Sequence, residues 1–189
     1  MKNSNSKEQL ISATLKLLSE ADEPANITAR QIAAEAGTNL AMINYYFKSK
    51  DELLNIAIGK IIEDSAEQFL TPAADIPPRE QLRDMLFSLG SMVVKYSRYT
   101  KISVPYMLLQ DEIKTPLYIL PYLKAYFGEN KSELECRVIA YEMLTFMQLA
   151  FYRSDAFYRY SGMHLPEEQA CKALIDMQLN FFLGDEEGE

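Results

Sequence analysis

Apolar residues recur at spacings of three and four along most of the chain, and alternating apolar and polar stretches are almost absent. This spacing places apolar side chains on one face of a helix, so the pattern predicts an all-α protein. Ala36 and Gly37 should end the second helix, because glycine adopts the left-handed conformation that a sharp turn requires. Four helices are expected in the first 70 residues, at about 7–20, 30–35, 40–47 and 50–70.

Helical patterns continue after a proline-rich segment at 71–78, which is typical of a linker. A long helix is predicted from 79 to about 99, and two more at about 132–160 and 166–183. Pro105 and Pro121 should kink or break the helices that contain them. The expected fold class is therefore all-α, with a three-helix helix-turn-helix head followed by a larger helical domain.

Composition and charge exclude several classes of protein. The chain is 48% hydrophobic with a net charge of -8, so its whole surface does not suit nucleic acid or an anionic membrane. Residues 1–50 carry six basic and five acidic groups, a net of +1, and residues 51–189 carry thirteen and twenty-two, a net of -9. Any anion-binding site must therefore be local. A polar N-terminus, together with uncharged runs shorter than the roughly 18 residues of a membrane span, predicts a cytoplasmic protein.

The sequence contains no residue set typical of an enzyme or a metal site. His164 is the only histidine, and Cys136 and Cys171 form no CxxC pair, so a zinc ion would lack ligands. Glycine-rich phosphate loops and nucleophile motifs are absent from the sequence. We therefore expect no enzymatic activity, no metal and no cofactor, and we expect both cysteines to be reduced core residues.

Two short helices joined by a tight turn at 36–39 fit the helix-turn-helix plan, in which the second helix enters the DNA major groove. The segments TARQIAAEAG at 28–37 and INYYFKSKDELL at 43–54 are more specific. With their surroundings, over about residues 7–58, they closely resemble the N-terminal domain of the TetR family of transcriptional regulators. The resemblance implies a homodimer with a DNA-binding domain at 1–50 and an effector-binding and dimerisation domain at 51–189. It also implies that a small effector releases the DNA.

On this resemblance, Thr28 and Arg30 open the second helix and the third helix presents the reading face. Arg30 fits a guanine edge and Asn44 an adenine edge, whereas the apolar Leu40 and Ala41 suit thymine methyl groups. Hydroxyl and ammonium groups would contact phosphates. Asn44 stands where the family often has tyrosine. The predicted DNA-binding residues are Thr28, Arg30, Asn39, Leu40, Ala41, Asn44, Tyr45, Tyr46 and Lys50.

The last helix is apolar around most of its circumference, an arc wider than one core face needs. A second copy of the chain is therefore expected to cover part of it, together with part of the preceding helix, as the resemblance also implies. A fully buried central helix of one subunit is the alternative. The predicted dimer-interface residues are Phe151, Leu174, Ile175, Gln178 and Phe182.

Residues 85–163 are rich in methionine and tyrosine, which suits a mostly apolar cavity with a few polar points. We expect a lipophilic or aromatic effector there, with core packing as the alternative. The predicted pocket residues are Met85, Met92, Tyr96, Tyr106, Tyr122, Tyr126, Met143 and Met147. The functional hypothesis is a repressor of a pseudo-palindromic operator. The alternative is a helical ligand-binding or scaffold protein with a vestigial DNA-binding head.

Overall fold

The computed structural model describes residues 2–66 and 75–184, which form helices without any β-strand. The all-α prediction is confirmed. Short 3-10 turns at Pro24–Asn26, Thr115–Tyr118 and Gly128–Asn130 lie between helices. The helices are α1 (Lys2–Glu20), α2 (Ala29–Glu35), α3 (Ala41–Phe47), α4 (Lys50–Ala66), α5 (Pro78–Lys95), α6 (Ser97–Leu109), α7 (Leu120–Phe127), α8 (Glu133–Tyr152), α9 (Ser154–Ser161) and α10 (Glu168–Leu183).

The chain divides into two compact units. The first comprises Met1–Glu67 and Tyr96–Asp111, and so contains α1 to α4 and α6. The second comprises Gln68–Lys95 and Glu112–Glu189, and contains α5 and α7 to α10. Packing thus joins α4 and α6 to the N-terminal helices, although the expected functional boundary lies near residue 50. The assignment of DNA binding to 1–50 and of effector binding to 51–189 stays a prediction.

The core of the first unit draws a buried residue from each of its five helices. Tyr99 of α6 is buried there, and its hydroxyl donates to the Leu18 carbonyl at 3.1 Å and accepts from Arg98 Nη2 at 2.7 Å. Both hydrogen-bonding roles of this phenol are thus satisfied, as burial of a tyrosine requires. Fully buried side chains of this core include Leu10, Leu18, Ile32, Ile43, Phe47, Leu53, Leu54 and Ile58.

The second unit has its own core, in which α5 packs closely against α8 and α10. A Cβ atom added to Gly90 of α5 would lie 2.9 Å from Cys171 Sγ and 3.2 Å from Phe151 Cζ, so only glycine fits without movement. Buried members of this core include Leu82, Met85, Leu86, Leu123, Met143, Leu144, Met147, Leu174, Ile175 and Leu179.

Two predicted long helices are broken in the structure. The helix expected from 79 to about 99 is divided at Tyr96, and the helix expected at 132–160 is divided at Arg153. Tyr96 and Arg153 have non-helical ψ angles of 29° and 31°. Neither break involves glycine or proline, the residues that usually mark a helix end in a sequence. The helical spacing of apolar residues also continues across both positions. Periodicity alone therefore gave helices that were too long.

The two internal prolines have different outcomes. Pro105 lies inside α6, which continues to Leu109, so it does not end the helix. Pro121 lies in the first turn of α7, where its missing N–H has no intrahelical partner to lose. The expected linker at 71–78 lies half outside the described residues, and Pro78 already begins α5. The expected end of the fourth helix near 70 also lies outside them.

Cys136 and Cys171 are both buried and unpaired, which agrees with the prediction of core thiols. Burial raises the pKa of the Cys171 thiol above its usual value, so it stays protonated at neutral pH. In the described ranges no helix is long and apolar enough to cross a membrane. The same ranges bring together no group of three or more His, Cys, Asp or Glu residues that could hold a metal ion.

Candidate functional site

The second helix of the head begins with a complete capping box. Gln31 N donates to Thr28 Oγ1 at 3.3 Å, and Thr28 N donates to Gln31 Oε1 at 2.8 Å. Thr28 thus caps the second helix that it was expected to open, with Gln31 as a partner that the sequence analysis did not name. The hydroxyl of Thr28 also donates to Gln31 Oε1 at 2.8 Å. A phosphate would have to compete for this hydroxyl.

The turn between α2 and α3 has the geometry that its glycine predicts. Gly37 has a φ of 61°, and the Thr38 N–H donates to the Ala33 carbonyl at 2.9 Å. These are the features of a Schellman ending, which satisfies carbonyls at the end of α2. Asn39 Oδ1 then accepts from Ala41 N at 2.6 Å and so caps the start of α3. The expected DNA contact by Asn39 would therefore involve a side chain that already has this local role.

The third helix has one buried face and one exposed face. Ile43 and Phe47, four residues apart, are buried in the core of the first unit. Tyr46 is half-buried, and its ring meets that of Tyr45 edge to face, with centroids 4.9 Å apart. Leu40 is 45% exposed and Tyr45 is 69% exposed, so neither has a core role. The exposed face consists of Leu40, Ala41, Asn44 and Tyr45.

The predicted basic contacts differ in their surroundings. Arg30 is exposed in the first turn of α2 and has no ion pair or hydrogen bond to any described residue. Lys50 Nζ donates to the Ile27 carbonyl at 3.1 Å and lies 3.7 Å from Asp51 Oδ1. Since an ammonium has three donors, Lys50 can bind Ile27 and still donate to another acceptor. Lys50 thus connects the start of α4 to the residue before the cap of α2.

Lys48 is a candidate that the sequence analysis missed. It is exposed between α3 and α4 and has a φ of 56°, the one positive φ of a non-glycine residue in the described ranges. Such a conformation costs on the order of 1–3 kcal/mol and is frequent at functional sites. The available signal was a basic residue directly after the predicted reading helix. The hydroxyl of the next residue, Ser49, accepts from Glu52 N at 3.0 Å and caps α4.

Glu35, an acidic residue of α2, is paired within the first unit. Lys16 Nζ of α1 lies 2.6 Å from Glu35 Oε1, and this hydrogen bond raises the pKa of Lys16. The lysine therefore remains charged over the whole neutral range. The pair offsets one negative charge on the helix that also carries Arg30.

The predicted effector residues do not all belong to one unit. Tyr96 and Tyr106 belong to the first unit, and the other six belong to the second. Burial, followed by the charges of Glu52, Asp111 and Asp51, raises the pKa of Tyr106. The hydroxyl of Tyr126 donates to the Leu183 carbonyl at 2.9 Å. The buried members in the second unit are Met85, Met92, Tyr122, Met143 and Met147.

A half-open groove of about 430 Å³ lies elsewhere in the second unit. It runs between the 3-10 turn at Thr115–Tyr118, the start of α7 and the first half of α8. Its lining is mainly apolar, with Arg137 and Glu142 as charged members. None of the eight predicted effector residues lines it.

Most of the predicted dimer-interface residues lie inside the second unit. Phe151, Leu174, Ile175 and Gln178 are buried there, and Phe182 is half-buried. The apolar arc of α10 is therefore largely used by the chain's own core, which the helical wheel could not reveal. The exposed large apolar residues of these helices are Leu134, Val138, Tyr141, Phe146, Leu149 and Tyr152 on α8 and Met177 and Phe181 on α10.

Comparisons with known proteins agree with this geometry. Residues 10–56 match the family described as bacterial regulatory proteins, tetR family. CecR of Shigella flexneri, an HTH-type transcriptional dual regulator, is 33% identical over 50% of this chain and 45% of its own length. BetI of Stenotrophomonas maltophilia, an HTH-type transcriptional regulator, is 38% identical over 41% of this chain and 40% of its own. The matched segments thus span less than half of the length of these two curated relatives.

The likeness in fold extends over nearly the whole chain. The crystal structure of FadR of Thermus thermophilus, a TetR family transcriptional repressor in complex with lauroyl-CoA, has a TM-score of 0.71. It covers 97% of this chain and 96% of FadR at 17% sequence identity, which shows a shared fold. The segment at 10–56 that matches the family includes the capped α2, the turn at Gly37 and the two-faced α3 described above. The segment at 10–56 thus matches the TetR family of bacterial regulatory proteins, and the chain as a whole shares its fold with a solved member of that family.

Proposed function

We propose that this protein is a sequence-specific DNA-binding transcriptional regulator. The observation that carries the proposal is the two-faced α3, in which buried Ile43 and Phe47 support an exposed face carrying Asn44 and Tyr45. A reading helix has to be held by the core on one side and be free on the other. The exposed Arg30 in the first turn of α2 adds a charged side chain to the same head.

The residues of the head divide into base-reading and backbone-binding roles. Arg30 can donate to a guanine edge and Asn44 can pair with an adenine edge, each worth roughly 1–3 kcal/mol of discrimination. Leu40 and Ala41 suit thymine methyl groups. Hydroxyl and ammonium groups bind phosphates without reading sequence. This second role falls to Thr28, Tyr45, Tyr46 and Lys50.

We further propose that the regulator is a homodimer on a pseudo-palindromic operator. Two identical heads related by a two-fold axis read two half-sites about one helical turn apart, or a small multiple of it. Exposed apolar side chains of α10, with Phe181 83% and Met177 41% exposed, support a subunit interface on this helix and on α8. Because the proposed operator is bacterial DNA, the proposal also places the protein in the cytoplasm.

The proposed mode is repression relieved by a small lipophilic or aromatic effector in the second unit. Effector and operator affinities are then linked by one coupling free energy, typically about 1–3 kcal/mol. The core of that unit is apolar and includes the buried methionines Met85, Met143 and Met147, which suits an apolar ligand. FadR, which shares the fold, binds lauroyl-CoA, a ligand with a long apolar chain.

The test is a selection of genomic fragments by the purified protein at moderate salt, after unfolding and refolding to remove any co-purified small molecule. We expect enrichment of one pseudo-palindromic sequence, bound by two copies of the chain. Salt-sensitive binding without sequence preference would contradict the proposal, because phosphate contacts alone produce it. That result would favour a helical ligand-binding or scaffold protein with a vestigial head, for which the apolar Leu40 and Ala41 are the supporting observation.

A further inference from the structure

Gln178 of α10 is a polar side chain inside the apolar core of the second unit. It is only 5% exposed, and its Nε2 donates to the Met143 carbonyl at 3.3 Å. Its Oε1 is buried and has no hydrogen-bond partner, the one such side-chain atom in the described part of the chain. An amide oxygen removed from water without a replacement partner destabilises the fold. A residue with this cost needs an explanation beyond packing.

Gln178 contacts a part of α8 that contributes methionines to the core. Met143 contributes the carbonyl that Nε2 contacts, and Met147 follows it one turn later on α8. Met85 of α5 belongs to the same core cluster. Methionine is unbranched and polarisable, so its side chain rearranges around a guest molecule more readily than that of leucine or isoleucine. The hydrogen bond from Nε2 thus places Gln178 beside the backbone of one methionine of this core.

We propose that the carboxamide of Gln178 is the polar recognition point of the effector site. Its Oε1 accepts a hydrogen bond from a hydroxyl or N–H group of an otherwise apolar ligand that packs against Met143 and Met147. This inference rests on the proposed effector function and adds its chemistry: the ligand is apolar and carries a hydrogen-bond donor. A ligand without a donor leaves the oxygen unpaired and binds about tenfold more weakly.

Two other roles for Gln178 fit the structure less well. A subunit contact requires surface, yet Gln178 is covered by its own unit, whereas its neighbours Met177 and Phe181 are exposed. The open groove beside α8 does not include Gln178 in its lining. A ligand that reaches its oxygen must therefore enter the core and not that groove.

The experiment compares matched ligands that differ only in the donor. The pairs are indole and N-methylindole, 2-naphthol and 2-methoxynaphthalene, and 1-octanol and its isomer 1-methoxyheptane. Binding to the full-length protein is followed by NMR of ¹³C-labelled methionine methyl groups, with Met143 and Met147 assigned by substitution. The variant is Gln178→Met, which keeps the volume and removes the acceptor. Gln169→Met, in the exposed first turn of the same helix, is the control.

For the wild-type protein and for Gln169→Met, we expect the donor member of at least one pair to bind about tenfold more tightly than its capped partner. The methyl signals of Met143 and Met147 should shift with binding. In Gln178→Met the preference should disappear while the capped ligand still binds. This variant should unfold at a temperature no lower than the wild type, because it removes an unpaired buried oxygen, and Gln178→Leu serves as a second variant.

The proposal is overturned if no donor preference exists in the wild type, including the case in which no probe binds. It is also overturned if the preference survives in both Gln178 variants. A changed dimer dissociation constant with unchanged ligand binding would assign Gln178 to the subunit interface instead. Operator binding is measured in a separate experiment. If the protein does not bind an operator, the comparison of ligand affinities still tests the role of Gln178.

Discussion

Arg83 of α5 holds Asp176 of α10 through two parallel hydrogen bonds, Nε to Oδ1 at 2.5 Å and Nη2 to Oδ2 at 2.8 Å. One turn along each helix, Arg79 donates to Asn180 Oδ1 at 2.5 Å and to the Gly184 carbonyl at 2.8 Å. The paired geometry of guanidinium and carboxylate fixes direction as well as distance. The polar edge of α10 is therefore attached to α5 within the second unit.

Asp176→Asn should lower the free energy of unfolding by about 0.5–1 kcal/mol at pH 7, since both partners are partly exposed and screened by solvent. The Arg83 hydrogen bond lowers the pKa of Asp176 in the folded protein. Its contribution is therefore present above the unfolded pKa of about 3.9 and is lost as the pH falls through the lower folded value. Urea unfolding at pH 7 and pH 3 measures the difference.

The control for that experiment is Asp84→Asn, which removes the same charge from an exposed position of α5, next to Arg83. It should have little effect at either pH. An equal loss of stability in the two variants, or a loss from Asp176→Asn that does not change with pH, would contradict the role of the pair.

Gly90→Ala and Gly59→Ala should have opposite effects on stability. Gly90→Ala forces a methyl group against Cys171 Sγ and should lower the free energy of unfolding by about 1–3 kcal/mol. Gly59, inside α4, has open space around an added Cβ, so alanine there should raise stability by about 0.5–1 kcal/mol. Denaturant unfolding of both variants tests the pair. Effects of the same sign would count against the close packing at Gly90.

Thr28→Ala should destabilise the first unit by about 1 kcal/mol, because it removes the acceptor for Gln31 N. Thr28→Ser keeps the hydroxyl and should recover most of the loss. Thermal unfolding followed by circular dichroism gives the comparison. If serine and alanine are equally destabilising, the methyl group of Thr28 and not its hydroxyl is the stabilising part.

Basic residues of the head should separate into two kinds by DNA-binding assays. Arg30→Ala should relax base preference at one operator position, at a cost of about 1–3 kcal/mol on the preferred base. Lys50→Ala should weaken binding to all sequences and reduce the salt slope by about one, and Lys48→Ala should do the same. Titrations of operator and random duplexes at several salt concentrations measure both quantities. Identical profiles for Arg30→Ala and Lys48→Ala would refute this division.

Lys50→Ala needs a stability measurement beside the DNA titration. Its ammonium also binds the Ile27 carbonyl at 3.1 Å, so alanine should reduce the stability of the first unit as well. Lys48 is exposed and forms no side-chain hydrogen bond or ion pair with any described residue, so Lys48→Ala should leave the free energy of unfolding unchanged to within about 0.5 kcal/mol. Lys48 is thus the cleaner probe of a phosphate contact.

Phe181→Glu should shift the protein from dimer to monomer, because it places a charge on the exposed apolar face of α10. Tyr160→Glu, at an equally exposed aromatic residue of α9, is the matched control and should leave the dimer intact. Sedimentation velocity at several concentrations measures the shift. A dimer that survives Phe181→Glu would place the interface elsewhere.

The head was predictable because its signals are local. A Thr-x-x-Gln start is visible at Thr28 and Gln31, glycine at 37 marks the turn, and Ile43 with Phe47 defines the buried side of α3. Each of these features depends on residues within a few positions of one another. Sequence periodicity therefore identified the correct helices and the correct turn.

The second unit was less predictable because its features depend on distant residues. The breaks at Tyr96 and Arg153 carry neither glycine nor proline, and the break at Tyr96 lies where the chain passes from the second unit back to the first. The apolar arc of α10 is too wide to tell which part faces its own core, and the structure buries Leu174 and Ile175 there. That Gln178 would lack a partner could not be read from its neighbours in sequence.

Both cysteines of the chain lie in the core of the second unit. A thiol reagent can modify Cys136 or Cys171 only when that core opens, so the rate of labelling counts opening events of the second unit alone. The N-terminal head contributes no signal, because it contains no thiol. Ligands that occupy the core should slow the reaction in proportion to their affinity. The wild-type chain therefore carries its own kinetic reporter, without an added dye or an engineered cysteine.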